Sequence, residues 1–103
     1  MTAGRIRIDV PRDQIAEFCR RHRIRWLALF GSVLRDDFRP DSDVDVLVEF
    51  EPGEAYTYFT LVHLEEELSV LLGRAVDLHV SKSLHPYLRD KVLTQAEALY
   101  VGS

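Results

Sequence analysis

The sequence predicts an α/β or α+β domain: a small mixed β-sheet with helices packed mainly on one face. Three observations lead there. Strand-like and helix-like apolar periods alternate along the chain, two segments ("DVDVLVEF" and "AVDLHV") are apolar on one parity and acidic on the other, and no repeat or low-complexity stretch interrupts them. At 103 residues the chain has the size of one domain with one modest core, so residues 1–103 are read as a single unit with no room for a separate substrate domain.

The elements follow in order. "RIRIDV", residues 5–10, alternates polar and apolar side chains and suggests a short edge strand. Pro11 suits the first turn of a helix over about 12–22, with Ile15, Phe18, Cys19 and His22 on one face. "RRHR" at its end puts positive charge where the helix dipole favours it, and without aromatic interleaving the cluster is not read as a nucleic-acid patch. "IRWLALF" is apolar on both parities, as a strand buried on both faces is, with Trp26 expected in the core. Gly31-Ser32 ends it, and "VLRDD" is long enough for one or two helical turns.

The strand over about 43–50 separates cleanly. Val44, Val46, Val48 and Phe50 point one way, and Asp43, Asp45, Leu47 and Glu49 the other. A helix from about Ala55 to Leu72 follows, with Leu61, Leu64, Leu68, Leu71 and Leu72 in its stripe and Gly73 as C-terminal cap. "AVDLHV" is the next strand, Val76, Leu78 and Val80 opposite Asp77 and His79. A last helix starts near Ser83, with Pro86 in its first turn and Leu84, Tyr87, Leu88 and Val92 as its face, and "EALYV" closes the sheet.

Composition narrows the function. A net charge of −4 argues against non-specific binding to a phosphate backbone, so a polyanion would be handled through a metal or a small local site. The apolar runs fall far short of the roughly 20 residues of a membrane span, the N-terminus does not resemble a signal peptide, and a cytoplasmic location is the default. A single cysteine, Cys19, excludes an internal disulfide and a cysteine zinc cluster.

The two acid-bearing strands raise the chemical question. A face that carries carboxylates resists unpaired burial, so the sheet needs an open or cleft-lining side. Residues i and i+2 of a strand lie roughly 6–7 Å apart, close enough for Asp43 and Asp45 to converge on one hard cation or two adjacent ones. Asp77 supplies a third carboxylate if its strand is a neighbour, and three acids together repel one another unless a cation joins them. Gly31 allows close approach to the backbone at a strand-to-helix turn, where free N–H groups attract phosphate; Ser32 adds a hydroxyl and Arg35 a guanidinium. Gly-Ser alone is a loop and Asp-x-Asp alone a solvated edge, but the ordered set is specific. A calcium loop beginning at Asp41 is rejected, because Val46 and Pro52 stand where it requires glycine and glutamate.

"FGSVLRDDFRPDSDVDVLV" resembles the signature of the nucleotidyltransferase superfamily of DNA polymerase beta, in its minimal nucleotidyltransferase (MNT) branch. The pattern falls on Gly31, Ser32, Ser42, Asp43, Asp45 and Asp77, and the likeness extends through "LLGRAVDLHV" and more loosely through "LHPYLRDKVLTQAEALY". Many members have glycine where Asp36 stands; Asp36 and the adjacent Asp37 are assigned no role. The resemblance implies the nucleotidyltransferase fold and transfer of AMP from ATP to an acceptor hydroxyl. It also implies Asp43, Asp45 and Asp77 as catalytic residues holding two Mg2+ ions, and Gly31, Ser32, Arg35 and Ser42 around the nucleotide phosphates. It further implies a small helical HEPN-domain protein as partner in a toxin–antitoxin pair, with this chain as antitoxin. The short chain agrees with an acceptor presented by another protein. Two rivals stay open: a silent module that neutralises a partner by binding alone, and a small-molecule nucleotidyltransferase acting as an oligomer, such as a homodimer, which would need a pocket between subunits.

Other conspicuous residues have bland expectations. His79 shares the Asp77 face and could border the site, but a solvated histidine is the expectation; His22, His63 and His85 have no mutual ligand spacing. Glu65, Glu66 and Glu67 read as a solvated face. Among Tyr56, Tyr58 and Phe59, any ring left exposed is a candidate for a partner or for a nucleotide base.

Overall fold

The valine parity of the two acid-bearing strands decides which side of the sheet the helices cover. The computed structural model describes residues 8–34, Arg39 and 42–102, with Ser32 as backbone only. Its elements are α1 (Arg12–Arg21), β1 (Ile24–Phe30), a 3₁₀ turn (Gly31–Leu34), β2 (Val44–Phe50), α2 (Tyr58–Leu72), β3 (Val76–Val80), a second 3₁₀ turn (Ser81–Ser83), α3 (Pro86–Gln95) and β4 (Glu97–Val101). The sheet runs β3-β2-β1-β4. β1 is antiparallel to both β2 and β4, and β2 is parallel to β3, which gives the expected mixed α+β architecture.

One face of the sheet forms the core. Leu27 and Leu29 of β1, Val44, Val46 and Val48 of β2 and Val80 of β3 pack with Ile15, Phe18 and Cys19 of α1 and with Leu64 and Leu68 of α2. Ile24 joins them although its parity is opposite to that of Leu27. A register shift between Ile24 and Trp26 supplies the extra residue, a β-bulge that turns Ile24 inward. Cys19 is fully buried, and burial pushes its thiol pKa up to about 12, so it behaves as a small inert hydrophobe.

The helix ends have local causes. Thr57 caps α2 by accepting from the Thr60 backbone N–H, and the Thr60 side chain answers the Thr57 N–H, so the helix begins at Tyr58 rather than at the expected Ala55. Tyr56 is thereby free to stack on Phe50, with ring centroids 4.6 Å apart. Gly73 ends the helix at φ 68, as expected. α3 starts at Pro86, with the His85 ring capping the Tyr87 N–H, rather than near Ser83.

Several expectations are corrected by tertiary context. The face proposed for α3 is not core: Tyr87 is 70% exposed and Leu88 50%. Trp26 is half-buried, because it lies on the sheet face opposite α1 and α2. The acidic run of α2 is not uniformly solvated. Glu65 accepts the Leu78 N–H at 2.9 Å, occupying a donor of the edge strand β3, and Glu67 binds both Arg21 and His22. Ile8, Asp9 and Val10 form no strand, and the rest of "RIRIDV" lies outside the described residues. Among the described residues, no helix is long and apolar enough to cross a membrane.

Two predictions follow from the packing. Leu68, fully buried between α2 and the sheet, is expected to cost about 2–5 kcal/mol when replaced by alanine, read as a shift in urea midpoint at unchanged slope. The hydrogen bond from Arg21 holds the Glu67 carboxyl below its ordinary range in the folded state. The stability advantage of wild type over Glu67→Gln is therefore expected to be full above the unfolded-state value of about 4.3 and to vanish as pH falls through the lower folded value. Urea titrations across that window check it.

Candidate functional site

The second face of the sheet carries Trp26, Ala28 and Phe30 of β1, Asp45, Leu47 and Glu49 of β2, and Asp77 and His79 of β3. Its middle is sealed, since Ala28 and Leu47 are fully buried. The polar groups gather at one end. Parallel register sets Asp45 beside Asp77 and Leu47 beside His79, while antiparallel register sets Phe30 beside Asp45. Cβ atoms of paired residues project to the same side, so the two carboxylates are forced together.

His79 completes the cluster. Its Nε2 lies 3.2 Å from Asp77 Oδ2 and 3.9 Å from Asp45 Oδ1. The Phe30 ring meets the imidazole edge-on, with centroids 5.4 Å apart and planes at 65°. One ligand atom from each of Asp45, Asp77 and His79 lies within 4.8 Å of the others. Side-chain exposures of 28%, 52% and 32% for Asp45, Asp77 and His79 leave the cluster open to solutes yet partly screened from water.

Gly31 borders the same cluster from the end of β1. Its φ is +79, and a side chain there would collide with Asp45 Oδ2. Only glycine satisfies both conditions, because other residues strain in this region and any Cβ would displace the carboxylate.

The site residues expected from sequence are partly brought together. Asp45, Asp77 and Gly31 converge. Asp43 stands one residue before β2, on the parity of Asp45 but exposed, and lies outside the group of three. Ser42 has a local engagement: its Oγ accepts the Arg39 N–H at 3.2 Å, and its own N–H donates to the Arg39 carbonyl at 3.0 Å. Arg35, Asp36 and Asp37 and the Ser32 hydroxyl lie outside the described residues. His79, expected to be solvated, stands in the cluster. Its parity with Asp77 was the available signal, and the solvated reading is corrected by its contacts with Asp77 and Phe30.

This donor set fits a divalent cation. An octahedral ion with ligands at about 2.1 Å holds adjacent donors about 3 Å apart and opposite ones about 4.2 Å apart. The separations of 3.2 and 3.9 Å from His79 Nε2 fall inside that interval, the two carboxylate donors lie within 4.8 Å of each other, and carboxylate oxygens are what a hard ion prefers.

Comparison with known proteins gives a consistent result. The family model described as nucleotidyltransferase domain matches residues 12–99. The protein adenylyltransferase MntA of Thermococcus cleftensis is 40% identical over 85 residues, which are 82% of each chain. A Methanocaldococcus jannaschii protein with the provisional name protein adenylyltransferase MJ0435 is 36% identical over 89 residues, 86% of this chain and 94% of that one. Among solved structures, one described provisionally as a minimal nucleotidyltransferase aligns with TM-score 0.69 at 40% identity, covering 84% of this chain and 86% of the other. A chain from a toxin–antitoxin crystal structure with AMP-PNP aligns with TM-score 0.74 over 91% of this chain and 75% of its own; at 24% identity it shows the shared fold.

Gly31 and Gly53 form a matched pair for testing the steric claim. Both have strongly positive φ, but a Cβ on Gly53 meets nothing within 4 Å. Gly53→Ala is expected to lose only the backbone component of about 1–2 kcal/mol, and Gly31→Ala more than that. Urea denaturation of the two variants measures the difference.

Proposed function

The chain belongs to the nucleotidyltransferase domain family and is a nucleotidyltransferase; from that premise we propose that it transfers AMP from ATP to a hydroxyl of a partner protein, with Mg2+ as cofactor. The observation that carries the reading is the juxtaposition of Asp45 and Asp77 beside a positive-φ glycine whose Cβ would meet the Asp45 carboxylate. The acceptor class is supported by relatives at 36% and 40% identity that bear the name protein adenylyltransferase.

Asp45 and Asp77, joined by Asp43 at the mouth of the cleft, are the carboxylates proposed to hold the metal. When bound, Mg2+ supplies charge neutralisation on the triphosphate and the developing pyrophosphate. The chain's own residues orient the reaction. Gly31 borders the carboxylates, and the Ser32 hydroxyl and Arg35, which lie outside the described residues, are proposed with it as the groups that bind the β- and γ-phosphates. The acceptor oxygen forms a bond to the α-phosphorus, the bond from that phosphorus to the bridging oxygen breaks, and pyrophosphate departs with the electron pair. Asp77, the most exposed member of the cluster, is the group proposed to receive the hydroxyl proton. Ser42 acts through its turn with Arg39, which sets the approach of Asp43 to β2.

The proposed partner is a small helical HEPN-domain toxin, with this chain as antitoxin. A Shewanella oneidensis chain of the same fold, with TM-score 0.66 at 24% identity, comes from an MNT antitoxin in complex with a tri-AMPylated HEPN toxin. Tyr58 and Phe59, each 74% exposed at the start of α2, are candidate contacts for that partner.

The test uses α-labelled ATP, Mg2+ and the product of the adjacent gene. Label is expected on the partner, falling at least about 100-fold in Asp45→Asn and in Asp77→Asn, with both variants folded by circular dichroism. Full neutralisation of the partner by the double variant, without nucleotide binding, would show inhibition by contact and sink the transfer reading.

A further inference from the structure

We infer that His79 is a ligand of the bound cation and shifts the metal preference of this cleft from Mg2+ towards divalent transition ions that accept imidazole, such as Mn2+ and Co2+. The inference rests on the proposed metal site and goes beyond it, since that reading needs only carboxylates. Three observations carry it. First, the imidazole is not at the rim but inside the cluster: Nε2 stands 3.2 Å from one carboxylate oxygen and 3.9 Å from an oxygen of the other. An ion held by both carboxylates at about 2.1 Å would have this nitrogen in reach as a further ligand, since the three donor atoms lie within 4.8 Å of one another.

Second, the ring is oriented from below. Phe30 holds it edge-on, and Phe30 is itself fixed by pairing with Asp45. The backbone of His79 is tied to Leu47, which is fully buried. The ring therefore cannot swing far from the carboxylates without breaking the contact with Phe30. Third, the donor set is mixed. Two carboxylates and water suit Mg2+, whereas an imidazole adds little for Mg2+ and considerably more along the series from Mn2+ to Co2+ and Zn2+. A histidine in this place changes selectivity more than it changes overall charge.

The experiment reads metal binding, not turnover. Mn2+ added to the full-length protein without nucleotide is followed by electron paramagnetic resonance, and pulsed spectra are examined for modulation by a coordinated 14N nucleus. Nitrogen coupling is expected in wild type, and its loss in His79→Leu and His79→Gln. Competition with Mg2+ is expected to show the Mn2+ preference falling about tenfold or more in both variants, and Co2+ absorption should lose intensity in parallel. Bound Mn2+ that disappears in Asp77→Asn but never shows nitrogen coupling would overturn the inference while leaving the carboxylate site standing. An unchanged Mn2+ to Mg2+ ratio in both His79 variants would overturn it equally. Wild type that binds no more Mn2+ than the Asp45→Asn/Asp77→Asn double variant would overturn both. The wild-type spectrum needs no substitution, so a variant that misfolds does not remove the test.

Discussion

The parallel register between β2 and β3 is the constraint on which the site depends. A slip of one residue would send Asp77 and His79 into the core and Val76, Leu78 and Val80 into the cleft. What forbids it is apolar. Val44, Val46 and Val48 are fully buried and pair with Val76, Leu78 and Val80, and the Val44 N–H donates to the Ala75 carbonyl at 2.9 Å where the two strands meet. Parallel strands need a crossover, and α2 provides it while laying Leu64 and Leu68 on the same valines. Glu65 then takes the Leu78 N–H, so α2 both covers the core side of β3 and occupies part of its outer edge. The chemistry on one face is thus positioned by burial on the other.

That division explains what could be read in advance. Period-two alternation is local, so the valine and aspartate faces of β2 and β3 were legible from the residues alone, and with them the need for an open side. Adjacency of the two strands is not local. No periodicity states that Asp45 lies opposite Asp77 rather than several strands away, and the conditional place given to Asp77 is removed only by the observed register. His79 fails for the same reason. A single histidine on an outward parity looks solvated until Phe30, from a strand far earlier in the chain, is seen against its ring. Gly31 was legible as a turn glycine, but its second requirement, clearance for Asp45, is a tertiary fact.

Element boundaries show the same limit at smaller scale. Apolar character on both parities of β1 hid the bulge at Arg25, because a sequence that is hydrophobic throughout does not record which residues the backbone turns inward. α2 begins later than its apolar pattern because reciprocal Thr57–Thr60 hydrogen bonds outweigh helix propensity at Ala55. In α3 the error runs the other way. Its leucines and tyrosine have helical spacing, yet Tyr87 and Leu88 stay in solvent, since spacing establishes that side chains share a face and says nothing of what that face meets.

The site also carries a cost that the core must offset. The left-handed backbone at Gly31 exists only because glycine tolerates it, and the register holds two carboxylates side by side. Neither feature helps the chain fold. Both are retained on strands whose opposite face is apolar and largely buried, with Leu78 partly exposed, and whose middle is closed by Ala28 and Leu47. A cation held there by the native state alone, as proposed, would stabilise the folded form by RT ln(1 + L/Kd) at free cation concentration L. The hydrophobic register that sets the two carboxylates side by side is thus what makes the candidate site.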